Sequence, residues 1–238
     1  IVRIRTASGI EGVGFHKSRG LVLDRIVDGL LAPLLKGQDP SMVQRLWQTM
    51  YQATLLSGRT GAVMRALGTI DIALWDLKSA AAGLPLYRML GGYRDRCRTL
   101  LVTGYYEQDP TDLGTMVEDM KAHVSEGFDL FKIAGGMLDA ASELRRLETA
   151  RETLGPGAGL VVDVNWVWRD LKRALCSARQ WAPYDLEWIE EPFPPGSTSF
   201  RQRFAESSPV RVGIGDEQAG VPFFRDLMAS HAADVIRV

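Results

Sequence analysis

The sequence predicts an α/β protein in which a (β/α) barrel follows a smaller α+β region. Three observations carry this expectation. Residues 1–15 alternate apolar and polar, and from Leu21 the period becomes helical. After the glycine-rich LGGYRDR, short apolar runs alternate with amphipathic segments. That is the pattern of parallel strands joined by helical crossovers, doubly wound or closed as a barrel. Finally, three of these runs end in acids at a nearly constant spacing, which favours the barrel.

The elements follow in order. IVRIRTASGIEGVGF alternates on both sides of Ser8-Gly9, as a hairpin with a glycine turn does. From Leu21 to about Ala82 a helical layer is expected. DPSMVQRLWQ places a proline near a helix start, and AVMRALGTIDIALWDLKSAAAG forms a long helix closed by Gly83. Six strands are then expected: TLLVTGYY, LFKIAGG, GLVVDVN, LEWIEEP, VRVGIGDE and ADVIRV. Between them lie helices from about Asp112 to Ser125, Asp139 to Leu154 and Arg169 to Ala182, then one after Ser199 and one after Pro222.

Composition bounds the function. The chain has 238 residues, 46% of them hydrophobic, enough for a large core. Its net charge is -1 and its basic residues are dispersed, so neither nucleic acid nor an anionic membrane is an expected partner. No apolar run approaches the roughly 20 residues of a membrane span, and IVRIRTASGIEG is unlike a signal peptide. A cytoplasmic protein acting on a small molecule is expected, with upstream sequence missing because the chain starts at Ile1. Cys97 and Cys176 form no CxxC pair and are expected to be packing residues. His123 and His231 fall in predicted helices, at the surface. The glycines of GIGDE and SGRTG lack the spacing of a phosphate loop, so no nucleotide site is expected.

The acids are Asp163 in VVDVN, Glu190 and Glu191 in WIEEP, and Asp216 and Glu217 in GIGDE. Glu190 follows Asp163 by 27 residues and Asp216 follows Glu190 by 26, about one strand-helix unit each. In a barrel, successive strands are neighbours and their C-terminal ends converge on one mouth. Carboxylates converging in a low-dielectric pocket repel one another unless a cation neutralises them. Oxygen ligands alone select a hard ion, Mg2+ foremost. A single acid at a strand end is more often a helix cap or a rim ion pair; three at one spacing argue against that. On these strands Asp163 shares a face with Val161 and Asn165, while Glu191 faces away from Glu190 and Glu217 from Asp216, so one acid per strand points inward. In DLFKIAGGML, Lys132 shares a face with Leu130 and Ala134, a lone lysine on an apolar strand.

The order KxA, DVN, IEEP, GDE on successive strands, after IDIALWDLKSAAAGLPLYRMLGG, resembles the enolase superfamily, in particular its mandelate racemase and muconate lactonizing enzyme branch. The resemblance implies an α+β capping domain over residues 1–96 with its start missing. It implies an enolase-like modified (β/α) TIM barrel over 97–238, truncated after strand six. The third, fourth and fifth barrel strands would each supply one Mg2+ ligand: Asp163, Glu190 and Asp216. Such enzymes remove the proton α to a carboxylate and hold the resulting enediolate with the metal; a homo-oligomer is also expected.

Members of this branch place a KxK motif on the second barrel strand, its second lysine a base. Here the motif reads Lys132, Ile133, Ala134. Lys132 is therefore expected to act catalytically by contacting the substrate carboxylate or the enediolate oxygen, and the base to be a later histidine, oriented by an aspartate and lying beyond Val238. A single base suits elimination better than inversion. The expected reaction is thus dehydration of a sugar acid, with racemase/epimerase or cycloisomerase chemistry as the alternative. Ala134 also favours a reading of another class, a catalytically inactive metal-binding or assembly protein. Asn165, Glu191, Glu217, Tyr105 and His16 are expected to touch substrate or orient the ligands, His16 and LLSGRT lying where the family's specificity loops fold.

Overall fold

The computed structural model describes residues 1–106, 111–196 and 198–237. The chain forms two compact units, Ile1–Cys97 with Glu217–Gly220, and Arg98–Asp216 with Val221–Val238.

In the first unit β1 (Val2–Arg5) and β2 (Glu11–Gly14) pair antiparallel, Val2 opposite Gly14 and Arg5 opposite Glu11. The expected hairpin is present, with Gly9 turning at φ 89°. Then come α1 (Leu23–Ile26), a π turn (Val27–Leu31), α2 (Ala32–Leu35), α3 (Val43–Thr54), α4 (Gly61–Ala82) and α5 (Leu86–Met89). Gly83 closes α4 in the left-handed conformation that favours glycine, its N–H returning to Ala80. The hairpin lies directly on α4. A Cβ at Gly12 would collide with the Ala73 carbonyl, and one at Gly14 with that of Thr69, so β2 needs glycine for backbone approach. Leu31, Leu46, Met50, Leu67, Ile70 and Leu74 lie in the core beneath.

The second unit is a parallel sheet. Its strands are β3 (Leu101–Val102), β4 (Leu130–Ala134), β5 (Gly159–Asp163), β6 (Leu186–Glu190), β7 (Val212–Ile214) and β8 (Val235–Ile236), each hydrogen-bonded to the next in sequence. The crossovers are α6 (Gly114–Ser125), α7 (Ala140–Leu154), α8 (Leu171–Trp181), α9 (Thr198–Ser207) and α10 (Val221–Ala229). A doubly wound sheet reverses its strand order at a switch point, and this one does not, which is the winding of a (β/α) barrel. Asp139 caps α7 by accepting from Ala141 and Ser142, both at 3.1 Å, and Asp170 caps α8 by accepting from Arg173 at 2.8 Å. The apolar residues of the strands, among them Phe131, Ile133, Leu160, Val162 and Ile189, pack with the helices into one core.

Some details differ from the sequence expectation. β3 is shorter than TLLVTGYY because Gly104, at φ 57°, turns the chain where a Cβ would strike Met116. Both cysteines are free and exposed rather than packing residues. Cys176 stands two positions from the buried Ala174 and Ala178 of α8, on the opposite side of the helix. His231 lies past the end of α10, in a left-handed turn at φ 51°. Val238, the last residue of the strand expected over ADVIRV, lies outside the described residues. No described helix is long and apolar enough to cross a membrane.

Candidate metal and substrate site

The register of the sheet sets the site. Ala134 pairs with Asp163, Asp163 with Glu190, and Glu190 with Gly213. These four positions form one row across β4 to β7, at the carboxyl ends of the strands. Parallel strands in register repeat their facing, so the row brings Asp163 and Glu190 side by side. Asp216 follows two residues after β7.

Lys132 stands one step down β4 on the face of Ala134 and reaches up to the row. Its Nζ donates to Glu190 Oε1 at 2.7 Å and to Asp163 Oδ2 at 3.1 Å. All three residues are buried. A lysine can lie so deep only because two carboxylates meet its charge. Tyr105, in the segment after β3, also donates to Asp163 Oδ2. Burial, and next the bond to Asp163, push its phenol above the ordinary value, so at neutral pH it is a donor. The other oxygen, Asp163 Oδ1, accepts from the Asn165 backbone N–H at 2.9 Å. Trp188 Nε1 donates to Glu190 Oε2 at 3.1 Å.

Arg237, next after β8, completes the set. Its Nη1 lies 2.5 Å from Glu190 Oε1 and 3.6 Å from Asp216 Oδ2. Burial works to lower the pKa of this guanidinium, but Glu190, Asp216 and Asp163 together outweigh burial and raise it.

Glu191 does different work from Glu190. Its Oε1 accepts from the backbone N–H groups of Gly215 at 2.6 Å and Asp216 at 2.7 Å, and its Oε2 accepts from Trp166 Nε1 at 2.7 Å. The buried Arg201 guanidinium lies 3.7 Å away. Burial pushes the Glu191 carboxyl up, against the pull of these donors. Its carboxylate thus ties the end of β6 to the segments after β5 and β7, and so positions Asp216. The backbone there is left-handed at Asn165 (φ 51°), Trp166 (φ 58°) and Glu191 (φ 45°), conformations that cost free energy in residues other than glycine and cluster at functional sites. A second buried network holds the segments after β3 and β4. Glu143 accepts from Tyr106 at 2.6 Å and from the Leu138 N–H at 2.8 Å, and Arg146 donates to the Gly104 carbonyl.

Of the residues expected from sequence, Lys132, Asp163, Glu190, Asp216, Tyr105, Asn165 and Glu191 come together at this end of the sheet. His16 and Glu217 belong to the first unit, where Arg65 contacts both and Arg19 Nε lies 3.1 Å from Glu217. Among the described residues no three acid, histidine or cysteine side chains are closed up around one common point. Each neighbouring pair of acids instead closes on a nitrogen cation, Asp163 and Glu190 on Lys132, Glu190 and Asp216 on Arg237. The donor set nevertheless fits a hard divalent cation. It is all oxygen, it comes from three adjacent strands, and each pair already converges on one positive centre.

Sequence reasoning missed Arg237, Trp188, Trp166 and Arg201. Arg237 carried the signal that marked Lys132, a lone basic residue in an apolar run, and alternation places Trp188 on the face of Glu190. Arg201 carried none, since an arginine on a helix is most often at the surface.

Comparison with known proteins places the chain in a family. Residues 1–91 match the family model described as mandelate racemase / muconate lactonizing enzyme, N-terminal domain, and residues 115–238 match enolase C-terminal domain-like. The L-talarate/galactarate dehydratase of Salmonella typhimurium is 30% identical over 244 residues, which cover all of this chain and 59% of that protein. A crystal structure of L-talarate dehydratase from Polaromonas sp. JS666, complexed with Mg and L-glucarate, superimposes with a TM-score of 0.87 at 32% identity, covering 98% of this chain and 65% of that one. The 3,6-anhydro-D-galactonate cycloisomerase of Zobellia galactanivorans does so with a TM-score of 0.89 at 26% identity, covering 99% and 65%. The chain thus spans about three fifths of the curated relative's length.

Proposed function

Because this chain belongs to the mandelate racemase and muconate lactonizing enzyme branch of the enolase superfamily, we propose that it forms the metal- and carboxylate-binding part of a lyase. The enzyme removes the proton α to the carboxylate of a sugar acid and expels water from the neighbouring carbon. One observation carries the reading. Asp163, Glu190 and Asp216 stand at the same end of three adjacent parallel strands, with the buried ammonium of Lys132 between the first two.

In this reading Asp163, Glu190 and Asp216 hold Mg2+. When bound, the ion supplies fixed positive charge for the substrate carboxylate and for the charge that grows on it as the proton leaves. Lys132 adds a second positive charge at the enediolate oxygen. Tyr105, Asn165 and Trp188 hold the ligand carboxylates in orientation through the hydrogen bonds they donate. Glu191 fixes the backbone from which Asp216 projects. Ala134 leaves β4 without the second lysine of a KxK pair, which favours elimination over two-base inversion.

The cycloisomerase relative supports a second reading, because opening a ring by expelling an oxygen β to the carboxylate begins with the same proton removal. The full-length protein, incubated in deuterated water with Mg2+ and a panel of aldonic and aldaric acids together with their anhydro and lactone forms, separates the readings. Loss of water with formation of a 2-keto-3-deoxy acid is expected. An isomer that keeps the elements of water, carrying deuterium at carbon, would favour cycloisomerisation, and absence of both exchange and turnover across the panel would favour a metal-binding protein without catalysis.

A further inference from the structure

We propose that Arg237 is an exchangeable counter-ion of the carboxylate site, holding Glu190 and Asp216 when no divalent cation is bound and competing with that cation for their oxygens. The inference rests on the reading that these acids ligate Mg2+.

Two cations share one oxygen. Glu190 Oε1 receives Lys132 Nζ at 2.7 Å and Arg237 Nη1 at 2.5 Å. A divalent ion approaching that oxygen meets two fixed positive charges, and one of them must withdraw or the ion binds against their repulsion. Exposure decides which. The Lys132 side chain is 3% exposed in the middle of a buried strand, whereas the Arg237 side chain is 41% exposed. Arginine keeps its charge at all working pH values, and its long stem lets the guanidinium move into solvent while the backbone stays fixed. The backbone is indeed fixed: the Arg237 N–H donates to the Ile214 carbonyl at 3.0 Å, and Gly215 packs so closely on the Arg237 carbonyl that any Cβ there would collide. Adjacent strand ends thus bring together the acid that would ligate and the cation that competes.

The test is calorimetric titration of the substrate-free, full-length protein with Mg2+, comparing wild type with Arg237→Met and Arg237→Lys. Arg237→Met should bind Mg2+ about tenfold more tightly, the scale of a single charge removed from a partly solvated site, and Arg237→Lys should fall between. Thermal unfolding supplies a second readout. The methionine variant should melt below wild type without Mg2+, and the gap should narrow at saturating Mg2+; a purely structural arginine would lower both melting points alike. Wild type that binds Mg2+ while Arg237→Met binds equally or more weakly overturns the competition and leaves the metal reading intact. Wild type that does not bind Mg2+ overturns the metal reading, and the competition with it.

Discussion

The two ends of the parallel sheet use the same residue types to opposite effect. At the amino ends of the strands Arg98 pairs with Asp129 and Arg211 with Glu187, at 2.9 and 2.8 Å, with side chains 33–60% exposed. At the carboxyl ends Lys132 pairs with Glu190 at 2.7 Å and with Asp163 at 3.1 Å, and none of the three is more than 5% exposed. Distances are alike, but consequences are not. An exposed pair exchanges water for a partner at little net gain, while a buried cluster commits several charges that cannot be solvated if a partner is lost. The carboxyl end therefore carries stored electrostatic free energy, and the amino end does not.

The sharpest way to break this contrast is at the acids. Asp163→Asn, Glu190→Gln and Asp216→Asn should each abolish Mg2+ binding in calorimetry and lower turnover by about a thousandfold or more, the scale of a lost electrostatic contact to the reacting charge. Full Mg2+ affinity in any one of them removes that residue from the site. Lys132→Met leaves Asp163 and Glu190 without their buried cation, and should cost about 3–5 kcal/mol in denaturant unfolding of the metal-free protein. A cost below 1 kcal/mol would mean that the cluster is solvated.

Glu191→Gln presents an amide where Trp166 Nε1, two backbone N–H groups and Arg201 all need an acceptor. It should destabilise by about 2–3 kcal/mol and weaken Mg2+ binding without abolishing it, because the loss reaches Asp216 only through its backbone. Loss as complete as in Glu190→Gln would make Glu191 a ligand. At the other end, Arg98→Ala and Arg211→Ala should change stability by no more than about 0.5 kcal/mol each. A loss of 2 kcal/mol in either would erase the contrast between the two ends.

Much of this was legible in the chain because it rests on local period and spacing. The hairpin at Ser8-Gly9, the end of α4 at Gly83 and the strand-helix alternation after LGGYRDR each follow from a pattern within a dozen or so residues. The acids were legible for a related reason. One strand-helix unit returns the chain to the same end of the sheet, so the near-equal spacing of Asp163, Glu190 and Asp216 already put all three at one end. That Glu191 faces away from Glu190 followed from the two-residue period of a strand.

Only the folded molecule decided which partners meet the charges. Lys132 and Arg237 lie 105 residues apart in the chain, yet both donate to one oxygen of Glu190. Arg201, on α9, crosses to Glu191 by a route no helical pattern announces. Gly12, Gly14 and Gly215 are needed because another backbone comes too close for a side chain, and nothing in their neighbouring sequence says so. Period and spacing place a residue along its own element and on one of its faces. Ion pairing and backbone contact depend on distances between elements, which are set only when the whole sheet has assembled.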